Sequence, residues 1–156
     1  MTNLQPRPDA ADLTLSEDDR RELIDWAARC VRRLMPVFAE HRPLDDRLRR
    51  ALDAVDEFRD GRLAVGPMRA HALSCHAAAR ECEDDAAQAV ARACGQAIAV
   101  AHMGGHARNV ERYTRKALSG PPSSPNLNGS APQFRRGRAS TSSATLLEPW
   151  FLSCGF

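Results

Sequence analysis

Apolar residues recur along this chain in blocks at helical spacing, and each block is fenced by turn-forming residues. In the first block Ile24, Ala27, Ala28, Val31, Leu34, Met35 and Phe38 fall on one stripe with the helical period. Ser16 reads as its N-cap, with Asp19 three residues on in a weak capping-box pattern. Pro36 lies inside the stripe and should kink the helix or end it. His41-Arg-Pro-Leu is a turn, after which Asp45 or Asp46 can cap a second helix with the stripe Leu48, Ala51, Leu52, Val55 and Phe58. Gly61 suits the left-handed residue beyond that helix.

Gly66-Pro67 reads as the cap and first position of a third helix, with Met68, Ala72, Cys75, Ala79 and Cys82 on one face. The acidic turn Glu83-Asp84-Asp85 favours a fourth helix start near Ala86, because carboxylates complement the helix dipole. The fourth helix is apolar on most sides, the pattern of a central, well-covered helix. Each glycine of Gly104-Gly105 costs about 1 kcal/mol against alanine in a helix, so a kink or break is expected there. A last helix over 106–118 would bury Ala107, Val110, Tyr113 and Ala117, with Glu111 and Arg115 as an i,i+4 pair.

The pattern therefore predicts an all-α fold: a single compact bundle of about five helices with a disordered C-terminal tail. Residues 1–14 read as a disordered lead and 15–118 as the domain. The segment 119–156 begins Ser-Gly-Pro-Pro-Ser-Ser-Pro and reads as a disordered Ser/Pro-rich tail.

Composition sharpens this picture. Alanine occurs 26 times while aromatic residues make up 5% of the 156, so burial must come from close helix approach. Residues 1–118 hold 19 basic and 19 acidic side chains. A neutral body argues against binding nucleic acid or an anionic membrane through general electrostatics. The N-terminus lacks an apolar signal-peptide core, and no run approaches a membrane span. Five cysteines on mostly helical patterns read as reduced thiols, which implies a cytoplasmic protein.

Candidate chemistry is sparse. The chain has no GxGxxG, P-loop, nucleophile elbow or HExxH motif, and so neither a cofactor signature nor a catalytic set. His71 and Cys75 are spaced i,i+4 on the third helix, and His102 and His106 share that spacing at the end of the fourth. Two such pairs on facing helices could supply four ligands to zinc. Against that, a continuous fourth helix puts His102 and His106 on a polar stripe with Gln88 and Arg92, while His71 lies on an apolar stripe. Only a chain redirected at Gly104-Gly105 would make the pairs converge. Cys75-His76 is adjacent in sequence, which sets the side chains about 100° apart on a helix and disfavours a nucleophile–base pair.

An interaction surface fits the residues better. Trp26 falls opposite the main stripe of the first helix, on the side of Arg29 and Arg33. Tryptophan flanked by arginine is the composition of an interface hot spot. The competing reading is that Trp26 packs against the N-terminal lead or a neighbouring helix. In the tail, Arg135-Arg-Gly-Arg-Ala-Ser140 has the form of a basophilic kinase site or a small basic patch.

Several segments together carry a family resemblance: Leu13-Thr-Leu-Ser-Glu-Asp-Asp-Arg-Arg-Glu-Leu-Ile-Asp-Trp-Ala-Ala-Arg-Cys, Leu34-Met-Pro-Val-Phe, Asp46-Arg-Leu-Arg-Arg-Ala-Leu-Asp-Ala-Val, Ala70-His-Ala-Leu-Ser-Cys-His-Ala-Ala-Ala-Arg-Glu and Gly95-Gln-Ala-Ile-Ala-Val-Ala-His-Met. Over about 13–118 the chain resembles small bacterial immunity proteins of the Imm-5-like group. That resemblance implies an all-helical, non-enzymatic domain that neutralises a toxin by binding it, with a protein partner and no catalytic residue. Members tend to end near the last helix, so 119–156 reads as an extension.

Overall fold

A computed structural model of the chain describes residues 15–119. The expectations for the lead, and those for the tail beyond Ser119, lie outside the described residues. Among the described residues the fold is all-α, with five helices and no strand: α1 (Glu17–His41), α2 (Arg47–Arg59), α3 (Val65–Glu81), α4 (Asp85–Ala99) and α5 (Ala107–Ser119). A single 3-10 turn, Gly104–His106, precedes α5.

The helix ends follow local chemistry. Ser16 caps α1 by accepting a hydrogen bond from the Asp19 amide at 3.1 Å, and its hydroxyl donates to the Asp19 carboxylate at 2.6 Å. Asp84 caps α4 in the same way, accepting from the Ala87 amide at 2.8 Å. Position 46 begins α2 without a side-chain cap; Asp45 instead accepts from the Arg47 amide at 3.2 Å. The α2 C-terminus is a Schellman motif: Gly61 sits at φ 73°, its amide donates to the Phe58 carbonyl, and the Arg62 amide donates to Glu57.

Two prolines differ from the expectation. Pro36 does not end α1, which runs on to His41. The missing amide removes one hydrogen bond, but Leu34 and Phe38 on either side are buried in the core and hold the helix together. α3 begins at Val65, so Pro67 is its third residue. The first four amides of a helix have no partner, so Pro67 still costs nothing there.

Helix α4 is the central helix, packed against α1, α3 and α5. Its buried residues are small: Ala87, Ala89, Ala91, Ala93, Cys94, Gly95, Ala97 and Ala99, joined by Val90 and Ile98. Small side chains let neighbouring backbones approach, and large ones from the other helices complete the core: Phe38, Ile24 and Leu34 from α1, Phe58 and Leu48 from α2, Met68 from α3. No described helix is long and apolar enough to cross a membrane.

The break after α4 comes earlier than the glycine pair. The helix ends at Ala99, and the next amides tighten to i→i−3 bonds: Val100 to Ala97, Ala101 to Ile98, His102 to Ala99. Tertiary contacts fix this position. Arg20 of α1 donates from Nε to the Ala101 carbonyl at 3.0 Å, taking an acceptor that the helix end leaves without an intrahelical partner. Leu15 packs on Gly104 so closely that a β-carbon there would lie 2.6 Å from the leucine Cδ1.

Candidate functional site

Among the described residues, three regions hold candidate chemistry. The first is the α1 surface. Trp26 is half-buried and packs against the core beside Leu23 and Cys30, with Arg29 and Arg33 exposed. With Leu15, Asp19, Glu22 and Leu23, the Trp26 ring lines an open concavity of about 520 Å³. Asp25 anchors the neighbouring arginines, meeting Arg29 Nε at 3.4 Å and Arg59 of α2 at 3.0 Å.

The second region is the loop between α1 and α2. Asp45, only 8% exposed, accepts from Arg47 Nη2 at 2.6 Å and from Arg42 Nη2 at 3.2 Å. Both guanidiniums also reach Glu81 at the end of α3, at 2.6 and 2.9 Å. The Arg47 hydrogen bonds hold the Asp45 carboxyl down at about 2, against the opposing effect of burial. The network pins the loop, at whose tip Leu44 is 96% exposed.

The third region gathers histidines around the end of α4, and the sequence pattern missed half of it. His76 of α3 lays its ring over Gly95 of α4; a β-carbon on Gly95 would meet ring atoms at 2.6 to 2.8 Å. The rings of His102 and His106 are 5.0 Å apart. His106 Nδ1 is 2.8 Å from Gln96 Oε1, which also accepts from Asn109 Nδ2 at 3.1 Å. Burial lowers the pKa of all three imidazoles. Cations lower two of them further: Arg92, Arg80 and His106 act on His76, and His106, Arg69 and Arg20 act on His102.

The four residues read as zinc ligands are placed as follows. His102 and His106 lie side by side beyond the end of α4, with ring centroids 5.0 Å apart. His71 is half-buried on α3. Cys75 is fully buried, its Sγ 3.6 Å from that of Cys94 on α4. Among the described residues no group of three or more His, Cys, Asp or Glu side chains is placed to hold a metal ion. The hydrogen bond with Cys75, and then burial, push the Cys94 thiol well above its ordinary range.

His76 and Gln96 carried no motif that would single them out. The one sequence signal was the glycine at position 95 inside an otherwise alanine-rich helix, which marks a close approach.

The fold and these sites define a class: a small all-α protein built on an alanine-rich central helix, with its polar chemistry at the helix ends. Residues 13–124 match the model of the Imm-5 like putative immunity protein family. The chain belongs to that family. Searches of curated proteins and of solved structures found no match.

Proposed function

We propose that this protein is a cytoplasmic immunity protein that neutralises a bacterial toxin by binding it directly, without catalysis. Membership of the Imm-5-like family carries this reading. An immunity protein of this kind needs a stiff scaffold and a shaped face, and the tightly packed bundle supplies the scaffold. The proposed contact is the α1 surface of Trp26, Arg29 and Arg33, where a half-buried indole sits beside exposed guanidiniums. Tryptophan and arginine at the edge of a rigid element are the residue types that dominate binding energy in protein interfaces.

The test begins with the gene next to this one, which on this reading encodes the toxin. The two proteins are co-expressed, and complex formation is measured by calorimetry. The expected result is a complex that Arg29→Ala and Trp26→Ala weaken by about tenfold or more, at unchanged helicity. Growth protection by this protein without any complex would sink the reading.

A further inference from the structure

Charge along one face of α1 reverses about Trp26. Asp19 stands seven residues before the indole and Arg33 seven after it; Glu22 stands four before and Arg29 three after. At 3.6 residues per turn all four lie within about 60° of Trp26 around the helix. The same rotation sets Glu22 and Arg29 on one side of the indole and Leu23 and Cys30 on the other.

This face looks out from the bundle. Asp19, Glu22, Arg29 and Arg33 are exposed, while Leu23, Trp26 and Cys30 are half-buried. Asp19 and Glu22 stand at the open concavity that Leu23 and Trp26 also line, so an apolar floor carries an acidic edge. The basic half follows one turn further along the helix. Arg29 meets Asp25 at 3.4 Å, but Arg59 holds that carboxylate more closely, at 3.0 Å, and 64% of the Arg29 side chain stays exposed.

A fitting partner carries the opposite order, basic then apolar then acidic, along one rigid element. A second α1 laid antiparallel has that order. We propose that the protein forms a homodimer through this face, with α1 antiparallel to its copy and the twofold axis at Trp26. Such an interface is isologous, so each contact is made twice. Glu22 faces Arg29 of the partner subunit, and Asp19 faces Arg33 of the partner subunit. Leu23 packs on Cys30 of the partner subunit, and the two indoles meet at the axis. A parallel copy would set acid on acid and base on base, so charge selects both direction and register. One helix a side buries less than about 1,200 Å², the small end of specific interfaces, so the dimer dissociates on dilution. The dimer covers the face proposed for the toxin, which must displace the second copy. It does not rest on that reading.

The test is sedimentation equilibrium of the full chain without toxin, over rising concentration. A reversible monomer–dimer equilibrium is expected. Glu22→Arg sets two arginines against two arginines across the axis, and Arg29→Glu sets four carboxylates together. Each variant should dimerise about tenfold or more weakly than the parent, at unchanged helicity. Mixing the two variants should restore a dimer, because every cross-axis pair in the mixed species is again Arg against Glu. Trp26→Ala should weaken the parent dimer as well, which keeps the test open if a charge reversal misfolds. A chain that stays monomeric at every concentration would overturn the proposal. So would a dimer that both reversals leave intact, or two folded variants that fail to dimerise when mixed. None of these outcomes bears on whether a toxin binds, which the complex with the toxin tests separately.

Discussion

The imidazole of His76 occupies the space that a side chain at position 95 would fill. A β-carbon built on Gly95 comes within 2.6 Å of the ring, closer than carbon atoms approach. Two effects compete in Gly95→Ala. Alanine gains about 1 kcal/mol in a helix interior over glycine. The methyl must also push the ring aside, and an imidazole at the end of a side chain can move where a backbone cannot. The expected result is stability within about 1 kcal/mol of the parent, with the His76 pKa rising as the ring moves towards water. Thermal unfolding and a histidine NMR titration check the two halves. A loss of several kcal/mol would show that the ring is locked in place.

Acid should loosen this protein in two separate steps. Burial lowers the pKa of His76, His102 and His106 below the ordinary 6.5. Their neutral forms are thus favoured by folding, and the unfolded chain binds more protons in this range. Stability from them is complete above about pH 6.5 and falls as pH drops through that value. Melting temperatures between pH 7.5 and 5 should therefore decline. The decline should shrink in His76→Asn and in His102→Asn. A flat profile in the parent would contradict the burial of these rings.

Much of the fold could be read from the sequence because it rests on local chemistry. The stripes of α1 and α2, the caps Ser16 and Asp84 and the left-handed Gly61 each follow from a few neighbouring residues. The end of α4 could not be read that way. It is set by Arg20, 81 residues away, which takes the Ala101 carbonyl, and by Leu15 against Gly104. The break falls at Ala99, ahead of the glycines, so His102 and His106 lie beyond the helix and not on its polar stripe. His76 is illegible in the sequence for a related reason: its contacts run across to α4 and not along its own helix. Trp26 packs on the core and keeps part of its surface exposed.

Asp45 is a nearly buried carboxylate held by two arginines. It lies 2.6 Å from Arg47, and the pair with Arg42 and Glu81 ties the α1–α2 loop to the end of α3. Its pKa of about 2 against 3.8 means that the folded state favours the charged form. That stability is present above about pH 4 and is lost as pH falls towards 2. Asp45→Asn should cost about 2 kcal/mol at neutral pH and remove the corresponding acid step. Chemical denaturation at pH 7 and at pH 3 measures both. An equal loss at both pH values would assign the effect to packing and not to charge.

Cys75 and Cys94 face each other at 3.6 Å between sulfurs, with no exposed surface on either residue. The Cys75 hydrogen bond and burial both raise the Cys94 thiol, so the reactive thiolate is scarce. An alkylating reagent needs both a thiolate and access; the fold denies access to both cysteines, and at Cys94 it also suppresses the thiolate. Iodoacetamide should therefore leave Cys75 and Cys94 unmodified in native protein and label both in denaturant, as read by peptide mass spectrometry. The rate of their labelling in native buffer would then report opening of the α3–α4 contact. Because the two helices meet through small side chains around this pair, that opening should be slow. Cys94→Leu should test the packing directly. Extra methyl groups at a site with no spare volume cost about 1–3 kcal/mol. If Cys94→Leu were instead neutral, α4 would have to lie further from α3 than its buried alanines allow.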